Sequence, residues 1–208
     1  AAQTRPNALF FSTSIQFNNE QLKPAFDWFQ SRLRVLNSVH GIHPGYTLQR
    51  CKNKTDLRKI VQFMNTADLS IADIQLKETA FRADELPKDM PAVMKEMSGK
   101  ILLEPRFFHK DTEAQAAIEF EEHEESDGTR ALFAFAGPWL DVLENERILV
   151  VDELDSSLHP LLVHQLVKSL HHEGNQAQLI FTTHDTTLLS QKIMRRDQVW
   201  FTEKNTHT

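Results

Sequence analysis

The sequence predicts an α/β fold, with a mostly parallel sheet flanked by helices, and three segments carry that expectation. Ile148, Leu149, Val150 and Val151 form a continuous β-prone run, as in a parallel strand covered on both faces, and the run ends on two adjacent carboxylates, Asp152 and Glu153. Residues 178–183 read as a second buried strand that ends on His184 and Asp185. Upstream, Ser126, Asp127, Gly128 and Thr129 open an apolar helix. The 31 residues between Glu153 and His184 are enough for one helix and a return to a neighbouring parallel strand.

Each element has its own local signal. Leu22, Phe26, Phe29, Leu33 and Leu36 recur at helical spacing, and Trp28 broadens the stripe, so a helix is expected through Leu36. Gly41, Pro44 and Gly45 supply turn chemistry. A second helix is expected around Leu57, Ile60, Val61 and Met64, with Thr55 or Asp56 as its cap. Residues 84–98 are rich in charge and carry Pro87 and Pro91, the pattern of a flexible segment. Strands are expected near 106–109, 118–121, 148–152, 178–182 and 198–202. After the carboxylate pair, Asp155, Ser156 and Ser157 make a polar turn. Pro160 then sits where a first helical turn tolerates it, and Leu158, Leu161, Leu162, Leu166 and Leu170 follow helical spacing.

Composition narrows the function. A length of 208 residues allows one large domain, or one domain plus an insertion. The formal charge of −6 argues against bulk attraction to nucleic acid or to an anionic membrane. Cys51 is the only cysteine, so no intrachain disulfide forms and nothing points to a secreted scaffold. The longest apolar stretch, 131–140, is broken by Gly137 and Pro138 and is too short to span a bilayer, so a cytoplasmic location is expected. The histidines lack metal-site spacing: His40 and His43 lie in a turn, His159 and His164 are five apart, and His171 and His172 sit near a helix C-terminus. No zinc is assigned.

The chemistry sits at strand ends and at one helix start. Asp152 and Glu153 emerge at the carboxyl edge of a strand, where open α/β sheets place their ligands. A histidine ending the neighbouring strand can hydrogen-bond a γ-phosphate and its attacking water. At the helix start, exposed N–H groups bind anions and Gly128 lets a phosphate approach closely. An ordinary N-cap, with Ser126 or Asp127 as the capping residue, explains the same four residues without a ligand.

Taken together, these motifs resemble the C-terminal half of an ABC-type ATPase head, a P-loop NTPase fold. Ser126-Asp127-Gly128-Thr129 resembles the signature motif, with Asp127 in place of a first glycine. Residues 148–153 resemble Walker B, Ser156-Ser157-Leu158 the D-loop, and Thr183-His184-Asp185 the switch histidine. More narrowly, ESDGT, VVDELDSSLHP, QLIFTTHDTTLL and RRDQVWF resemble the AAA-type ATPases of bacterial phage-defence islands, RloA-like and AbiLi-like, which are related to OLD-family and SMC-like heads. The sequence contains no GxxxxGK[ST] phosphate loop and begins Ala-Ala-Gln, so the chain is read as part of a longer protein whose phosphate loop lies upstream.

The resemblance implies two regions: a helical insertion over residues 1–100, and an ATPase lobe over 101–208. It implies ATP and Mg²⁺ as cofactors, Asp152 as the metal residue, Glu153 as general base and His184 as the γ-phosphate contact. Ser126, Asp127, Gly128, Thr129, Ser156 and Ser157 become nucleotide-site residues acting across a dimer interface. The partners it implies are a second copy in a homodimer or higher oligomer, an effector protein such as a nuclease or toxin, and a nucleic-acid or phage-protein trigger, with no membrane. Three alternatives stand beside it: a DNA-repair head, the ATPase of an OLD-type nuclease complex, and a non-catalytic assembly module. A long heptad coiled coil would mark the first, and residues 1–100 show none. A Toprim nuclease wants a Glu and a later Asp-x-Asp pair, which Asp152-Glu153-Leu154-Asp155 does not provide.

Overall fold

A computed structural model describes residues 9–39, 41–67, 70–80, 101–110, 117–156, 158–170, 174–190 and 192–203. The expected flexible stretch 84–98, together with His40, Ser157, His171 and His172, lies outside the described residues. Helices α1 (Phe10–Gln16) and α2 (Lys23–Arg32) lead into strand β1 (Leu33–Leu36), followed by α3 (Gly45–Cys51) and α4 (Lys54–Asn65). Strands β2 (Ile71–Ala80), β3 (Ile101–Lys110) and β4 (Ala117–Glu121) precede α5 (Asp127–Glu144), β5 (Ile148–Val151), α6 (Pro160–Ser169) and β6 (Gln178–Phe181).

Two three-stranded sheets result. One is parallel, in the order β1-β5-β6, with Val35 opposite Val150 and Val150 opposite Ile180. The other is antiparallel, in the order β2-β3-β4. The expected parallel sheet is present, but it does not take in every predicted strand: those near 106–109 and 118–121 exist and pair antiparallel in a sheet of their own. Each sheet also joins strands from both sides of residue 100, β1 with β5 and β2 with β3.

Two further expectations change. The helix predicted through Leu36 stops at Arg32, because the backbone of Leu33–Leu36 pairs with β5 instead of continuing its helical bonds. Residues 198–202 form no strand. Val199 is extended, but the segment follows a 3₁₀ turn at Arg196–Gln198, and Trp200 and Phe201 stand exposed. In addition, Asn53 caps α4, accepting from the Thr55 and Asp56 amides, so the predicted capping residues are the ones being capped.

The core is built around α5. Every residue from 131 to 137 in this helix is buried, so it is covered on all sides, as a central helix must be. Phe133 meets Phe107 of β3 edge-on, and Phe135 stacks between Phe63 of α4 and Trp139. Pro138 lies inside α5 and has no N–H to give the Ala134 carbonyl. Thr47 of α3, fully buried, repairs that loss: its hydroxyl donates to Ala134 O at 2.8 Å and accepts from Gly137 N at 3.0 Å. The approach demands glycine, since a Cβ at position 137 would lie 2.6 Å from Thr47 Oγ1 and 2.8 Å from its Cα. Above this crossing, Arg50 pairs with Asp56 and Glu144, and Lys59 joins Glu144. Cys51 is buried in the same region, and burial pushes its thiol up to about 12, which leaves it unreactive.

The parallel sheet packs one face on this core. Leu149 and Val151 are buried, while Val35 and Ile180, on the opposite face, are 61% and 58% exposed. Among the described residues, then, β5 is covered on one face and half-covered on the other, not buried on both as its apolar run predicts.

Candidate functional site

The end of β5 is held by a small set of strand-edge bonds. Asp152 N donates to Leu36 O of β1 at 3.1 Å, extending the ladder by one residue. The chain then turns sharply. Glu153 adopts φ +50°, a left-handed conformation that costs an L-residue roughly 1–2 kcal/mol, and Leu154 re-enters the core fully buried. The turn leaves both Asp152 and Glu153 exposed at the carboxyl edge of the sheet, the position the sequence assigned to them.

Thr182, the first residue beyond β6, holds this turn from the neighbouring strand. Its N–H donates to Val151 O at 3.1 Å and its carbonyl accepts from Leu154 N at 3.0 Å. Its hydroxyl accepts from Glu153 N at 2.8 Å and donates to Asp152 Oδ1. His184 follows two residues later and is exposed, so β5 and β6 bring Asp152, Glu153 and the His184 segment to one edge of the sheet.

Beyond His184 the chain is braced. Asp185 caps a 3₁₀ turn, accepting from the Thr187 amide at 2.9 Å and from its hydroxyl, and His164 of α6 hydrogen-bonds the same hydroxyl at 2.8 Å. The Thr187 bonds hold the Asp185 carboxyl below the ordinary carboxylate range. On the other side, the Ser156 hydroxyl bonds that of Ser38, in the loop after β1, at 2.8 Å. Ser157 lies outside the described residues.

Ser126 through Thr129 belong to another surface. Ser126 is the N-cap of α5: its Oγ accepts from Thr129 N at 3.1 Å and pairs with the Thr129 hydroxyl at 2.9 Å. Asp127 is exposed and paired with Arg130. Ser126, Gly128 and Thr129 line a cleft of about 530 Å³ with Leu158, His159 and Gln165, a cleft to which Asp152, Glu153 and His184 do not contribute. The structure thus gathers the strand-end residues at one sheet edge, while the helix start lines a cleft of which they are no part.

Sequence reading missed Thr182 and Ser38. Thr182 was detectable: a hydroxyl residue at the end of a strand parallel to β5 sits level with the carboxylate pair. Ser38 was hidden because its segment reads as the end of a helix.

Parallel strands flanked by helices, with an Asp-Glu pair at the carboxyl edge of the central strand, are consistent with the P-loop NTPase class. The family described as "AAA domain, putative AbiEii toxin, Type IV TA system" matches residues 4–190, and the chain belongs to that family. No curated protein matches the chain. Among the described residues, no helix is long and apolar enough to cross a membrane.

Proposed function

We propose that the chain is the carboxylate-bearing part of an ABC-type ATPase head that binds and hydrolyses ATP, with Glu153 as general base. The observation that carries this reading is the exposed Asp152-Glu153 pair at the end of β5, held from β6 next to the His184 segment. A glutamate kept in a left-handed turn supports it, since a purely structural turn there would favour glycine or asparagine. In this reading the ATP phosphates need a phosphate loop that these 208 residues do not contain.

The donor set suits Mg²⁺. Asp152 offers a hard carboxylate at an open edge. Mg²⁺ is held in just this manner, by one or two carboxylates with waters and substrate phosphates completing its shell. When bound, the ion would neutralise charge developing on the phosphates. Asp152 would hold it through water, Glu153 would take a proton from the attacking water, and His184 would orient that water against the γ-phosphate.

Ser126, Asp127, Gly128 and Thr129 act in trans, on nucleotide held by the other copy of a dimer; that Ser126, Gly128 and Thr129 line a cleft without Asp152, Glu153 or His184 supports this. Ser156 and Ser157 couple the two composite sites. Residues 1–100 contribute the helical arm together with β1 and β2, one strand to each sheet, and residues 101–208 the lobe carrying these motifs. The family description names a putative AbiEii toxin and a Type IV toxin–antitoxin system, which supports a toxin–antitoxin context; the finer reading, taken from the motif resemblance, is an RloA-like or AbiLi-like phage-defence ATPase, triggered by nucleic acid or a phage protein, that controls a nuclease or toxin effector.

Mixed dimers of the full-length protein test this arrangement. A bulky residue at Gly128 is expected to leave ATP binding intact and abolish hydrolysis. Mixing that variant with a phosphate-loop variant is expected to restore one working site per mixed dimer. If mixed dimers form and show no rescue, residues 126–129 are only a helix cap.

A further inference from the structure

We propose that Thr182 is a positioning residue for the hydrolytic edge, setting both the Asp152 carboxylate and the Glu153 backbone through one hydroxyl. The inference rests on the ATPase reading and adds a residue to it. Strand pairing does not need this hydroxyl: the N–H and carbonyl of Thr182 already complete the ladder with Val151 and Leu154. The hydroxyl reaches instead to the two residues proposed to work on metal and water, donating to Asp152 Oδ1 and accepting from Glu153 N.

Each contact has a physical consequence. The bond to Oδ1 fixes the rotation of the Asp152 carboxylate, so that its second oxygen keeps one direction at the sheet edge. The left-handed turn at Glu153 carries that residue's N–H off the ladder, and the Thr182 hydroxyl is the acceptor that takes it. A β-branched side chain suits the task because its χ1 is stiff, which holds the hydroxyl in place at an exposed strand end. Hydrogen-bond partners of metal-ligating carboxylates tune the site in the same way, and their loss typically weakens metal affinity or activity by about 10–100-fold.

The test uses the full-length protein with a non-hydrolysable ATP analogue, and Mn²⁺ as a paramagnetic probe for Mg²⁺. Thr182→Val is expected to weaken Mn²⁺ binding by about 10–100-fold, and Thr182→Ser, which keeps the hydroxyl, is expected to follow the parent protein. Amide exchange without nucleotide gives a second readout: the Glu153 N–H should be protected in the parent and in Thr182→Ser, and exposed in Thr182→Val. Unchanged Mn²⁺ affinity in Thr182→Val overturns the proposal. So does an unprotected Glu153 amide in the parent protein, a result that needs no variant to fold. Glu153→Gln separates the two levels of the argument. If it hydrolyses ATP at the parent rate, the reading of Glu153 as general base falls and this inference with it; if it is inactive while Thr182→Val matches the parent in both readouts, only the inference falls.

Discussion

Two threonine hydroxyls, Thr47 on α3 and Thr182 after β6, each donate one hydrogen bond and accept another, yet they serve different regions of the molecule. Thr47 is fully buried and satisfies two backbone groups of α5 that have no water to turn to, the Ala134 carbonyl and the Gly137 N–H. Thr182 is exposed and joins an exposed carboxylate to the amide of a strained glutamate. The same group thus stabilises the fold where desolvation makes an unpaired partner costly, and aims side chains where water can replace it at little cost. The contrast extends to the surroundings: aromatic packing and a charge network around α5, strand-edge bonds and a left-handed turn at the end of β5.

The largest effect expected is on rate. In the full-length protein, Glu153→Gln should lower ATP hydrolysis by roughly 10²–10⁴-fold and leave the thermal midpoint where it was. A large loss of stability would break the comparison by making Glu153 structural. Next comes Gly137→Val, whose side chain enters the Thr47 backbone and should cost about 3 kcal/mol in denaturant unfolding. Thr47→Val keeps the shape and strands two buried backbone groups, so a loss of about 1–3 kcal/mol is expected by the same measurement. Equal stabilities of Thr47→Val and Thr182→Val would erase the distinction between the two hydroxyls.

The smallest effect sharpens the helix side of the comparison. Hydrogen bonds from Arg50 hold Asp56 below the ordinary carboxylate range. At Glu144, burial raises the pKa, but bonds from Lys59 and Arg50 outweigh it and the group also ends below that range. For a carboxylate with a depressed folded-state pKa, the stabilisation is complete above the unfolded value, about 4.3 for Glu, and is lost as pH falls through the folded value. Glu144→Gln should therefore cost about 1 kcal/mol at neutral pH, screened by partial exposure. Its thermal midpoint should converge on that of the parent protein as pH drops below about 4. A gap that persists in acid would assign the loss to packing.

The legible parts of the chain were those governed by local pattern. The β5 and β6 runs, the β3 and β4 segments, the α4 and α6 stripes and the helix start at Ser126 all carry apolar spacing or capping chemistry that works within one element. The misread parts depend on distant partners. Leu33–Leu36 fits a helical stripe and a strand equally well, and its pairing with β5, more than a hundred residues away, decides between them. Residues 198–202 look like a strand but find no edge among the described residues. The partition into two sheets was invisible because β2 pairs with β3 across residues 81–100, and local sequence does not encode which strands meet.

By itself the sequence determined an Asp-Glu pair at the end of an apolar strand, a histidine at the end of the next, and an apolar helix opening on Ser126, because each follows from periodicity and residue chemistry within a dozen positions. Tertiary structure alone decided that β1 and β6 flank β5, that Thr47 makes up for Pro138, that Thr182 grips Asp152 and Glu153, and that the start of α5 lines a cleft without them. Those relations join residues 29 to 115 positions apart, and only packing the helices and sheets against one another brings such residues within reach of a hydrogen bond.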